Sequence, residues 1–108
     1  MKRGELVIVR EPHSPTSKAR PCVIVQTNRA LPDRSYLTIC PLTTQLSDSS
    51  LFRVHVLPSD SNGLKRPSDV EVDLIYSVAV AHIGPTIGML DRSTMVQVDA
   101  ALRRWLEL

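Results

Sequence analysis

Lys18-Ala19-Arg20-Pro21 stands between a polar stretch and an apolar run. Pro21 fixes its own φ and pushes Arg20 toward an extended backbone. A guanidinium on such a rigid base suits an oxyanion or a phosphate. A surface ion pair is the plainer use of the same residue. Pro41-Leu42-Thr43-Thr44-Gln45 ends another apolar run in two hydroxyls. A threonine hydroxyl can donate to a phosphate oxygen, or it can cap the polar segment that follows. Glu71 and Asp73 alternate along 70–75, which would set both carboxylates on one strand face for acid/base work. A solvated strand face is the competing reading. His13, His55 and His82 are scattered, and their spacing brings no two together.

Something must hold these groups. Segments 5–10, 22–26, 36–42, 52–57, 70–75, 78–83 and 87–90 are short, apolar or alternating, and rich in β-branched residues, so strands are expected. Segment 22–26 is apolar throughout, as in a strand covered on both faces. In 52–57, Phe52, Val54 and Val56 face one way and Arg53 and His55 the other. Pro41 implies an edge or a bulge near the end of the third strand. Gly84-Pro85 breaks the last two. Pro12, Pro15 and their neighbours make 11–19 a loop, and 45–50 is a polar turn or short helical piece. Met95, Val98, Leu102, Trp105 and Leu106 recur at helical spacing, which predicts a closing helix over about 93–105. Asp91 or Ser93 can cap it, and Arg103 and Arg104 complement its dipole. Trp105 is expected in the core or at a subunit interface. The pattern is mainly β: a small antiparallel barrel or strongly bent sheet with a C-terminal helix packed on it.

The whole chain supports one domain, 1–108, because 108 residues leave no room for two. With 43% hydrophobic and 22% charged residues it is an ordinary folded composition. Thirteen Lys plus Arg against eleven Asp plus Glu give a net charge of +2, too little to mark a nucleic-acid binder by charge alone. Two cysteines, Cys22 and Cys40, are too few for a disulfide scaffold or a four-ligand zinc site. They are expected as buried thiols, with a single bridge as the alternative. Four glycines do not make a phosphate loop. No apolar run approaches the ~20 residues of a membrane span. No apolar stretch follows Met1-Lys2-Arg3 as in a secretory leader, so a cytoplasmic protein is expected.

Taken in order, several of these stretches resemble the MazF/PemK toxins of bacterial toxin–antitoxin pairs. They are Lys2-Arg3-Gly4-Glu5-Leu6-Val7, Arg20-Pro21 before an apolar strand, and Cys40-Pro41-Leu42-Thr43-Thr44. Asn62-Gly63-Leu64 with Pro67-Ser68, the run 70–78, Ile87-Gly88-Met89-Leu90 and the closing helix complete the series. The resemblance spans nearly the whole chain. It implies an SH3-like barrel with a C-terminal helix, the fold shared with the gyrase poison CcdB. It also implies metal-independent cleavage of single-stranded RNA at short motifs, without a cofactor. In that chemistry the ribose 2′-hydroxyl attacks the adjacent phosphate, leaving a 2′,3′-cyclic phosphate and a 5′-hydroxyl end. The family's Arg before Pro matches Arg20, which would neutralise the pentavalent centre and act as acid toward the leaving 5′-oxygen. Its strand-end Thr matches Thr43, with Thr44 the nearest alternative, holding a non-bridging oxygen. Where some members carry Arg-x-Asp, this chain reads Glu71-Val72-Asp73, keeping the Asp without the Arg. The loop before Arg20 is short and lacks the Gly and Gln of many members.

The partners implied are a homodimer with RNA across the two subunits and an antitoxin whose disordered tail occupies the same groove. Lys18, Arg29, Arg53, Lys65 and Arg66 are the candidates for phosphate contacts. The rival reading is a CcdB-like gyrase poison, whose action depends on a Trp-Gly-Ile terminus. This chain ends Trp105-Leu106-Glu107-Leu108, keeping only the Trp.

Overall fold

The computed structural model describes residues 1–10, 18–47 and 50–108. Its elements, in chain order, are β1 (Glu5–Val9), β2 (Arg20–Ile24), β3 (Tyr36–Thr43), β4 (Arg53–Val56), β5 (Ser68–Glu71), β6 (Tyr76–Ala79), β7 (Ile83–Met89) and α1 (Arg92–Leu106). All strand pairs are antiparallel, in the order β4-β5-β3-β2-β1-β7, with β6 also on β3. The two ends of that path are not paired to each other, so the sheet is strongly bent and barrel-like rather than closed. Most of segment 11–19, with His13, and part of 45–50 lie outside the described residues.

Alternation explains two cores. On one face Leu6, Val23, Cys40 and Leu42 pack with Val54, Val56 and Val70 against Val98 and Ala101 of α1. On the other face Val7, Val9, Cys22, Ile24, Leu37 and Ile39 pack with Val78. β1, β2 and β3 therefore read as near-continuous apolar runs, as expected for 22–26. Cys22 and Cys40 fall in opposite cores, so the alternative of a bridge is removed. Burial pushes the Cys40 thiol up from 9.0 to about 12, so it stays protonated and inert.

Three strand expectations are corrected. β3 does not end at an edge near Pro41. Pro41 sits opposite Cys22, at the point where the other side of β3 changes partner from β6 (Tyr36 to Ile39) to β5 (Leu42, Thr43). The proline's missing N–H falls where that side has no ladder pair. Gly84-Pro85 does not break the final strand. β7 is the outer strand beside β1, and its register against β1 shifts around this pair, which accommodates the proline. The expected strand over 70–75 stops at Glu71, and Val72–Leu74 forms a 3₁₀ turn that packs against α1. Phe52 accepts the Val72 N–H at 3.0 Å through its carbonyl, tying the turn to the start of β4.

The helix matches its expected span within a residue at each end. Its N-cap is Asp91, whose carboxylate accepts the Thr94 N–H at 2.8 Å and the Ser93 hydroxyl at 3.0 Å. Hydrogen bonds to Thr94 and Ser93 hold the Asp91 carboxyl below its usual 3.8. The depressed value means the cap contributes fully above the ordinary value and is lost as the pH falls through the lower folded one. Asp91→Ala is therefore expected to lower the melting temperature at neutral pH. The gap between variant and parent closes on acidification, which parallel melts at pH 7 and pH 3 check. Trp105 is not core: it is 43% exposed and lies edge-on to Phe52, ring centres 5.1 Å apart. Among the described residues no helix is long and apolar enough to cross a membrane.

Candidate active site

The strand-start arginine and the strand-end threonines meet. β2 and β3 pair with Cys22 opposite Pro41 and Val23 opposite Cys40. The same register, continued two residues outward, sets Arg20 opposite Thr43. A cleft of about 300 Å³ opens there, lined by Lys18, Ala19, Arg20, Pro21, Leu42, Thr43, Thr44 and Gln45. Both stretches singled out by residue chemistry thus form one concavity, at the small end of the range for ligand sites.

Its chemistry is one-sided. Lys18 and Arg20 are exposed cations, and among the described residues no carboxylate lines the cleft. Among the described residues neither cation has an ion pair or side-chain hydrogen bond, so both remain available to an anion. The Thr43 Oγ1 accepts the Gln45 N–H at 3.1 Å. That bond fixes the hydroxyl and leaves its proton to donate. The cap alternative and the donor reading for Thr43 are therefore compatible.

The other candidates are placed differently. Arg53 spans two buried carboxylates, with Nη2 3.2 Å from Glu71 and Nη1 3.7 Å from Asp69, and Nη1 donates to the Gln45 carbonyl at 2.8 Å. It ties the Gln45 end of the cleft to β5. Arg53→Met strips both carboxylates of their cation, and a loss of about 2 kcal/mol is expected by urea denaturation. Glu71 is thereby committed to an ion pair and is not in the cleft. Asp73 lies in the 3₁₀ turn, off the cleft, and its Oδ1 is buried without a hydrogen-bond partner. The two acids that were expected to share a strand face do not. Lys65 and Arg66 are exposed and precede β5 without lining the cleft. Arg29 sits in a short 3₁₀ turn beyond the far end of β2 from Arg20.

Asp69 was not singled out by sequence. It is 2% exposed, pairs across the ladder with Thr43 on one side and His55 on the other, and accepts from the Ser47 N–H at 2.9 Å. A signal existed. Arg53-x-His55 and Asp69-x-Glu71 are alternating patterns of opposite charge, which antiparallel strands place face to face. Among the described residues no group of three or more His, Cys, Asp or Glu side chains is arranged to hold a metal.

Bent sheet, closing helix and a cationic, hydroxyl-bearing cleft define a class that comparison makes specific. Residues 2–106 match the family described as PemK-like, MazF-like toxin of type II toxin–antitoxin systems. The chain belongs to that family. It is 30% identical over 102 residues to a probable endoribonuclease MazF of Mycolicibacterium smegmatis, covering 94% of this chain and 93% of the relative. Its fold is similar to that of the Mycobacterium tuberculosis toxin MazF-mt6, with TM-score 0.82, 27% identity, and 96% and 97% of the two chains covered. A mycobacterial endoribonuclease solved with its cognate antitoxin shares the fold at TM-score 0.83 and 24% identity, with 100% and 96% covered.

Proposed function

We propose that this toxin is a metal-independent endoribonuclease acting on single-stranded RNA in the cytoplasm, and that Arg20 and Thr43 carry the reaction. One observation supports this above all: Arg20, Lys18, Thr43 and Thr44 converge on one cleft that no carboxylate lines among the described residues. A ribose 2′-oxygen attacking the neighbouring phosphate builds negative charge on phosphorus. Arg20 neutralises it with a bidentate fork and gives a proton to the leaving 5′-oxygen. Thr43 donates to a non-bridging oxygen, Thr44 stands beside it, and Lys18 holds an adjacent phosphate as a point charge. The products are a 2′,3′-cyclic phosphate and a 5′-hydroxyl.

Lys65 and Arg66 serve a longer RNA as outlying phosphate contacts, with Arg29 more remote still. The working form is a homodimer, and the cognate antitoxin blocks the cleft with an extended segment that orders on binding. The test is cleavage of a long mixed-sequence RNA in EDTA, with product ends mapped. Discrete cuts with 5′-hydroxyl ends are expected. Intact RNA from folded protein, together with inhibition of gyrase supercoiling, would replace the nuclease by a gyrase poison.

A further inference from the structure

Among the described residues, those that line the cleft supply cations and hydroxyls, and none of them takes a proton near neutral pH. Lys18 and Arg20 are the wrong type for a base, and Thr43 and Thr44 are donors. A 2′-hydroxyl must nevertheless lose its proton as it attacks. The structure holds a suitable group in the same ladder row, two strands from Thr43. His55 Nδ1 lies 3.1 Å from Oδ1 of Asp69. Asp69 is buried and fixed by the Ser47 N–H and by Arg53, while the His55 side chain is 51% exposed. An imidazole held through Nδ1 by a buried carboxylate, with Nε2 left to solvent, is the arrangement of a general base.

Its position fits. Thr43, Asp69 and His55 are successive register partners on β3, β5 and β4. Directly paired residues project to the same face, and adjacent strands lie ~4.8 Å apart, so the backbones of Thr43 and His55 are ~10 Å apart. With Nδ1 turned to Asp69, Nε2 opens to solvent on the face that also carries the Thr43 side chain. An RNA laid across this face would pass over both side chains. Among the described residues, the charged groups around His55 are Asp69 and Glu71 on β5 and Arg53 on β4.

We infer that His55, oriented by Asp69, is the base that activates the ribose 2′-hydroxyl, an assignment that rests on the ribonuclease reading above. The O2′–P bond forms as the 2′-proton passes to His55 Nε2. The P–O5′ bond breaks as the 5′-oxygen takes a proton from Arg20, and exchange with solvent restores both residues. Asp69 touches no substrate and is a positioning residue.

The experiment measures kcat/KM against pH on a short RNA carrying one mapped cut, for the parent, His55→Gln, Asp69→Asn, Arg20→Ala and a control, His82→Gln. His55→Gln is expected to lose ~10²-fold and the acidic limb of the profile. His82→Gln should match the parent. Asp69 is buried, so its variant counts only if it melts as the parent does; His55 is exposed and its variant carries the test. Added imidazole should restore part of the activity of His55→Ala. If Arg20→Ala abolishes cleavage while His55→Gln keeps the parent rate and pH profile, His55 is not the base and the ribonuclease reading stands. If the folded parent makes no cuts, both fall together.

Discussion

Arg20→Ala is expected to lose 10²–10³-fold in RNA cleavage, because one preorganised donor aimed at developing charge is worth about 3–4 kcal/mol. The expectation is specific to chemistry. Arg20 is exposed at the start of β2 and has no ion pair among the described residues, so its removal should leave the melting temperature within a degree or two of the parent. Arg20→Lys keeps the charge and loses the planar fork, and should fall between. Thr43→Ala should cost less than Arg20→Ala, because it removes one neutral donor and Thr44 lines the same cleft. Single-turnover cleavage of RNA bound in excess protein separates loss of rate from loss of binding. Equal cleavage by parent and Arg20→Ala would remove Arg20 from the reaction.

The second large effect concerns the scaffold. Gly88→Ala is expected to cost about 3 kcal/mol or more. A Cβ at Gly88 would stand 2.4 Å from the carbonyl carbon of Asn62 and 2.5 Å from the carbonyl oxygens of Asn62 and Ser61. Those atoms are backbone in a loop that cannot step aside. The Asn62 Oδ1 accepts the N–H groups of Ser59 at 3.0 Å and Leu64 at 2.9 Å, and its Nδ2 donates to the Leu57 carbonyl at 2.9 Å. Met89 N–H donates to the Ser61 carbonyl at 2.9 Å, clamping the loop to β7. Gly63 faces Ile87 in the same way and has φ +68° besides. Urea denaturation of Gly88→Ala measures the effect. A loss below about 1 kcal/mol would show that the loop yields.

This contact also explains which parts of the sequence were legible. Asn62-Gly63-Leu64 and Ile87-Gly88-Met89-Leu90 stood out as family-like stretches, and each turns out to be the other's packing partner rather than chemistry. Arg20 and Thr43 were readable because residue type and strand position both show in a local pattern, and an antiparallel pair of neighbouring strands brings them together. Pairing itself is not local. Nothing in Tyr36 to Thr43 announces that β3 changes partner at Pro41, and it is this change that brings Asp69 beside Thr43. The alternation Val70, Glu71, Val72, Asp73 was read two residues too far along. Polarity alone cannot tell a strand from a 3₁₀ turn that keeps Val72 buried, so Asp73 was set on a strand face that ends at Glu71. The ion pairs of Arg53 with Asp69 and Glu71 were not legible, because its buried partners lie on another strand.

The place of β1 in the sheet has a kinetic consequence. β1 lies between β2, its near neighbour in sequence, and β7, far from it along the chain. Arg3 Nη2 reaches Asp99 of the closing helix at 2.6 Å, and Gly4 accepts the Leu90 N–H at 2.9 Å. Contacts that join the two ends of a chain form slowly, since a long loop must close before they contribute. The sheet that holds β2 and β3 in register is complete only after the slow meeting of β1 with β7.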